Sequence, residues 1–327
     1  MNQGPSILLV TMLAVSSAAR GHGYDPLAAD AAGVAHQDLT IRDQTRERDI
    51  PVRVYLPAET NAAPVVLFSH GLGGARTGSA YLGEHWAARG YVVVYLQHPG
   101  SDEAVWKDQP PLQRLRALKD AASAENLLLR AADVPAVLNQ LEAWNADKTN
   151  MLAGRMNLKK IGMSGHSFGA VTTEAVSGES LPLVGQGLAD GRIKAAIAFS
   201  PSSPASGNAA EAFGSVNIPW MLMTGTKDIA PIGHADMKSR LAVYPALRGA
   251  AKYEVVLHNA EHSAFTDRAL PGDAEPRNPN HHRVILALST AFWDAYLRGD
   301  AGALAWLQGT GPRSIMEADD QWQFSTQ

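Results

Sequence analysis

Near-continuous apolar runs stand at 64–69, 91–96, 193–199, 219–224 and 253–257. They lack the alternation of a strand with one wet face, and they suit strands covered on both faces. Between them, 81–89, 131–144, 168–176 and 282–297 carry apolar residues at helical spacing. Strands alternating with helices build a mainly parallel sheet with helices on both sides. Upstream, 38–43 and 50–56 flank a charged turn and read as an antiparallel hairpin at the sheet edge, with Pro51 tolerable at a strand start. The expected class is α/β: a mainly parallel central sheet, helices on both faces and an antiparallel N-terminal hairpin. No internal repeat and no long Pro/Ser linker is visible, so one domain is expected over 36–327, behind a tail of low structural content at 20–35.

Ahead of that tail, the apolar run 7–15 is too short to span a bilayer. It is followed by Ser16, Ser17, Ala18 and Ala19, a small-residue stretch suited to signal peptidase. A signal peptide at 1–19 is therefore expected, with a secreted or periplasmic product and no stable membrane span.

In open α/β sheets the chemistry collects at the carboxyl ends of the strands. The short strand 158–164 leads into Gly165-His166-Ser167-Phe168-Gly169, and 170–176 can continue as a helix. A Gly-x-Ser-x-Gly between a strand and a helix has the pattern of a nucleophile elbow, in which the flanking glycines let backbones pass closely. After the first parallel strand, Ser69-His70-Gly71-Leu72-Gly73-Gly74 is a glycine-dense loop whose N–H groups can turn toward a developing oxyanion. The expected oxyanion hole is made by the N–H groups of Phe168 and Leu72. His70 precedes the serine and is expected to be a structural hydrogen-bonding residue.

Thr224-Gly225-Thr226-Lys227-Asp228 ends a later strand and puts a carboxylate where it can orient an imidazole. Asp228 is the expected acid; Asp236 and Asp267 are the alternatives, and an aspartate at such a place can also cap the next helix. Two histidines follow the run 253–257. His262 is expected in a loop five residues past the strand, free to swing over the serine, whereas His258 stays close to the strand. The order Ser167, Asp228, His262 is that of an elbow-type triad. Trp106, after the strand 91–96, and Phe168 are candidates to line an acyl or alcohol pocket, and a packing aromatic is the alternative for each. His281-His282 places two imidazoles about 100° apart on a helix with no third ligand nearby, so no metal is expected.

Composition narrows the chemistry. The 327 residues carry no cysteine, which excludes disulfides, thiolate metal sites, a cysteine nucleophile and a lipoprotein anchor. A formal net charge of −4, with no basic cluster rich in aromatics, offers no footprint for nucleic acid. Residues 71–74 lack the lysine and hydroxyl of a phosphate-binding loop. No cofactor is called for, and a small-molecule or polymeric ester is the expected partner.

On Phe68-Ser69-His70-Gly71-Leu72-Gly73-Gly74, the elbow, Gly225-Thr226-Lys227-Asp228 with Pro231-Ile232-Gly233, and Ala260-Glu261-His262-Ser263-Ala264-Phe265, the chain resembles the α/β-hydrolase superfamily. Within it, the dienelactone-hydrolase-like and platelet-activating-factor-acetylhydrolase-like esterases are most similar. The resemblance implies the α/β-hydrolase fold and serine-esterase chemistry. Dienelactone hydrolases use a cysteine nucleophile, which this chain lacks. Polyester and cutinase-like hydrolases are also similar, through Asp228-Ile229-Ala230-Pro231 and the Gly-His-Ser elbow. Acyl transfer or perhydrolysis on the same triad is a further alternative, and a non-catalytic binding protein on this fold is a third.

Overall fold

The computed structural model describes residues 23–326 apart from 32, 205, 206, 234, 250 and 271. The expected signal segment at 1–19 lies outside the described residues. Nine strands are described: β1 (Ala35–Asp43), β2 (Arg48–Leu56), β3 (Ala63–Ser69), β4 (Val92–Leu96), β5 (Met156–His166), β6 (Ile193–Phe199), β7 (Trp220–Lys227), β8 (Lys252–Glu261) and β9 (Gln321–Ser325). They form one sheet in the order β1-β2-β4-β3-β5-β6-β7-β8-β9. Pairing from β4 through β8 is parallel. The hairpin β1–β2, its junction with β4, and β9 against β8 are antiparallel.

The helices are α1 (Ala80–Ala88), α2 (Pro111–Ala121), α3 (Ala124–Ala146), α4 (Phe168–Val176), α5 (Ala209–Phe213), α6 (Met237–Leu241), α7 (Val243–Ala246), α8 (Pro279–Trp293) and α9 (Ala301–Gln308). The apolar strands are continuous because both faces are covered. On β3, Val66 and Phe68 pack with Leu82 and Trp86 of α1 and with the apolar face of α8. Val65 and Leu67 point the other way, onto Val134, Val137, Leu138 and Leu141 of α3. A strand with only one dry face would have shown the polar alternation that these runs lack. The chain has the α/β-hydrolase fold.

Two differences from expectation matter. The short C-terminal strand β9 adds an antiparallel edge beside β8; half exposed and rich in glutamine, it has no apolar run by which to be seen. The expected tail is also ordered in part. Tyr24 donates from its hydroxyl to Asp294 Oδ2 at 2.8 Å and packs edge-on against Trp306, while His85 Nε2 donates to the Pro26 carbonyl. One aromatic fills a slot between helices, an anchor that carries no sequence period.

Candidate active site

The elbow is built by sterics. Strand β5 delivers Ser167 at φ 57° and ψ −116°, and α4 begins at the next residue. A left-handed φ on a residue with a Cβ is strained and persists only where the surroundings impose it. Here the Ser167 N–H is tied to the Phe199 carbonyl at the end of β6, at 3.0 Å. A Cβ on Gly169 would overlap the Ser69 carbonyl, and one on Gly165 would overlap the Gly169 carbonyl. Both positions therefore require glycine for space.

The turn puts Ser167 Oγ 2.8 Å from His262 Nε2, and His262 Nδ1 lies 2.7 Å from Asp228 Oδ1. Nδ1–H thus donates to the carboxylate, which leaves Nε2 as acceptor for the serine proton. Asp228 directly follows β7, is fully buried, and accepts a second bond from Thr224 Oγ1 on Oδ2. Burial alone pushes its carboxyl up, but the bond from His262 and the charges of His262 and Arg240 together outweigh burial and hold its pKa below the usual range. The alternative carboxylates are engaged elsewhere. Asp236 caps α6 by accepting the Ser239 N–H, and Asp267 accepts the Ala80 N–H.

The local geometry at the histidines differs from that expected. Strand β8 runs on to Glu261, so His262 opens a short 3₁₀ turn directly after the strand, and His258 lies within it. The cause is non-local: β7 and β8 keep pairing past a register shift between Gly225 and Lys227. His258 donates its N–H to Asp320 and accepts on its carbonyl from His281 Nε2. His282 stacks flat on Tyr81, with centroids 3.8 Å apart, so the adjacent histidines 281 and 282 serve separate contacts.

The glycine-dense loop runs directly against the elbow; a Cβ on Gly71 would stand 3.4 Å from that of Ser167. Gly73 sits at φ +71°, and its N–H donates to the Ser101 carbonyl. Among the described residues, neither Leu72 nor Phe168 uses its N–H in a backbone hydrogen bond. Trp106 donates Nε1–H to the Gly73 carbonyl at 2.7 Å, which clasps the loop from outside. Phe168 is half-buried beneath the guanidinium of Arg130, whose Cζ is 4.6 Å from the ring centroid. His70 is buried: its Nε2 accepts the His98 N–H, so its Nδ1–H donates to the Gly71 carbonyl. Burial, then the charge of Arg130, depress its pKa well below the ordinary histidine value, so it is neutral at pH 7.

Three site residues were not anticipated as such. His166, inside the elbow itself, donates Nε2–H to the His262 carbonyl and packs its ring 4.7 Å from that of His262. Burial pushes its pKa down to about 3, with the His262 charge contributing. Arg240 reaches Asp228 from α6, and Arg130 reaches the loop from α3. His166 was visible as the variable residue before the serine, but the two arginines carried no local signal.

A family model described as platelet-activating factor acetylhydrolase, isoform II, matches residues 47–109. The match runs from β2 through the glycine-dense loop to Trp106 and ends before Ser167. No curated protein matches the chain. Among the described residues, no helix is long and apolar enough to cross a membrane. The chain is an α/β-hydrolase-fold protein that is similar, over its N-terminal strand–loop–strand segment, to the platelet-activating factor acetylhydrolase, isoform II, family.

Proposed function

We propose that the protein is a serine hydrolase that cleaves carboxylic esters through an acyl-enzyme. The observation that carries this is the relay from Ser167 Oγ through His262 to Asp228, at 2.8 Å and 2.7 Å. Ser167 Oγ attacks the ester carbonyl carbon while its proton passes to His262 Nε2. The carbonyl π pair moves onto oxygen, where the N–H groups of Phe168 and Leu72 stabilise it. Collapse breaks the bond to the alkoxy oxygen, which takes the proton from His262 and leaves as the alcohol. Water then adds to the acyl-enzyme, giving its proton to His262; the second tetrahedral intermediate releases the acid, and the proton returns to Ser167. Asp228 holds the imidazole in the required tautomer and offsets its charge when protonated.

The match to an acetylhydrolase family supports ester substrates, and the absence of cysteine excludes a thiol nucleophile. Trp106, which closes the loop from outside, is assigned to the rim of the substrate cleft. Residues 1–19 are assigned to an export signal, which places the mature enzyme outside the cytoplasm.

The test is active-site labelling followed by an ester panel. A fluorophosphonate should modify one residue, mapped by peptide mass to Ser167, and abolish hydrolysis of p-nitrophenyl esters. Turnover across acyl lengths, with and without competing alcohol or peroxide, then separates hydrolysis from acyl transfer and perhydrolysis. Labelling elsewhere, or none, would sink the assignment.

A further inference from the structure

Arg130 has no part in the relay, yet it is a heavily partnered side chain beside it. It is fully buried, and burial pushes its pKa down to about 9, which leaves it cationic at neutral pH. A buried charge persists only when it is well partnered. Its Nε donates to Thr172 Oγ1 at 2.8 Å, Nη1 to Ser101 Oγ at 2.9 Å, and Nη2 to both Ser69 Oγ, at 2.9 Å, and the His70 carbonyl. The plane of the guanidinium also covers the Phe168 ring.

Three of these partners lead to the segments that carry the proposed oxyanion donors. Thr172 Oγ1 in turn donates to the Phe168 carbonyl at 2.9 Å, so Phe168 is held by both its ring and its carbonyl. Leu72 is separated by Gly71 alone from the His70 carbonyl, which Arg130 holds, and is followed by Gly73, whose N–H is held by the carbonyl of Ser101, a residue whose Oγ Arg130 also holds. The guanidinium is itself fixed. Ser69 accepts from it and passes its own proton toward His98 Nε2 at 2.9 Å, and His98 Nδ1–H donates to Asp133 at 2.9 Å. Arg48 donates to the same carboxylate. Ser69, His98 and Asp133 repeat the hydroxyl–imidazole–carboxylate hydrogen bonding of a hydrolytic triad, though not its order along the chain, and all three are fully buried. With no access for substrate, this relay can orient its neighbours and cannot attack.

We propose that Arg130 is the positioning residue of the oxyanion hole: one buried guanidinium, locked by the Ser69–His98–Asp133 relay, sets the Phe168 and Leu72 N–H groups relative to each other. This rests on the assignment of Ser167 and those two donors made above. Because the bound ester carries no oxyanion and the charge develops only on the way to the tetrahedral intermediates, loss of positioning lowers kcat and leaves KM nearly unchanged.

The experiment compares Arg130→Met, Arg130→Lys and Thr172→Val with the parent on p-nitrophenyl acetate, with rates per active site titrated by fluorophosphonate. Arg130→Met should lose about a hundredfold in kcat with KM within about threefold. Arg130→Lys keeps the charge but cannot span the same partners, and should recover only about tenfold of that loss. Thr172→Val keeps shape and charge while removing the hydroxyl that links Arg130 to the Phe168 carbonyl, and should lose about fivefold to tenfold in kcat. Affinity for a trifluoromethyl ketone, whose adduct carries the oxyanion, should fall by the same factor as kcat/KM, while product carboxylate binding stays constant. A merely structural role would lower the titrated fraction and the melting temperature but not kcat per site. If Arg130→Met fails to fold, Thr172→Val decides: parental kcat and ketone affinity overturn the proposal. If Ser167→Ala is dead while the Arg130 and Thr172 variants retain full kcat, only the positioning role is wrong; an active Ser167→Ala removes the site assignment itself.

Discussion

Arg240 and His262 meet on one carboxylate oxygen. Arg240 Nη2 lies 2.9 Å and His262 Nδ1 2.7 Å from Asp228 Oδ1, and the two nitrogens are 3.2 Å apart. Asp228 Oδ1 is therefore shared between a permanent cation and an imidazole. Arg240 also donates to the backbone carbonyls of Asp228, Ser200 and Pro201, which ties the acid's loop to the end of β6.

Arg240→Gln should lower kcat by about tenfold, because the Asp228 carboxylate and its loop lose an anchor. Initial rates at neutral pH, with a melting curve on the same protein, measure this. A parental kcat on a well-folded variant would show that Asp228 keeps its place without Arg240.

Ser167→Ala should reduce ester hydrolysis by on the order of a thousandfold or more while leaving the melting temperature nearly unchanged, since the strained serine contributes chemistry rather than packing. His262→Ala should fall comparably, and the double substitution should fall no further, because the two residues act as a unit. His258→Ala should keep most of its activity. Steady-state kinetics on the four purified proteins check this. A dead, well-folded His258→Ala beside an active His262→Ala would place the base in β8.

Glu174 and Glu179 are buried close together, and each has a carboxyl oxygen with no hydrogen-bond partner among the described residues. Burial pushes Glu179 up to about 8, and burial followed by the charge of Glu179 raises Glu174 well above the usual range. A carboxyl with a raised folded pKa binds more protons in the native state. Its contribution is present below the unfolded value of 4.5 and is lost as pH rises toward about 8. Glu179→Gln should therefore match the parent in melting temperature near pH 4.5 and exceed it increasingly up to pH 8. Buried His98, pushed down by burial to about 4, and His166, pushed down to about 3, act oppositely by destabilising the fold as pH falls below 6.5. They are common to both proteins and cancel in the difference. A pH-independent difference in melting temperature would contradict the prediction.

The export assignment predicts a mature N-terminus near Ala19 or Arg20 when the full chain is expressed in a host with a general secretion pathway. Edman sequencing of the exported product checks it. Active cytosolic protein with Met1 intact would speak against export.

What the sequence determined by itself was local or repetitive. Doubly covered strands appear as apolar runs because each residue must be dry whichever face it meets, so the parallel sheet was legible from 64–69 onward. The elbow was legible because its steric demand falls within five residues: Gly165 and Gly169 have no room for a Cβ beside the backbone of Ser69. Asp228 was legible as the carboxylate at a strand end. Tertiary structure decided whatever depended on distant partners. The end of β8, and with it the place of His262, follows from pairing with β7 beyond a register shift. β9 exists only because β8 offers it an edge. Arg130 and Asp133 lie one helical turn apart on the buried face of α3, where a sequence shows only two charges on an amphipathic helix. Arg240 is likewise one charge among several in a short polar helix. A charged side chain is tolerated in a core only where chain segments remote in sequence supply its hydrogen bonds, so the placement of these residues was written in the fold and not in their neighbours.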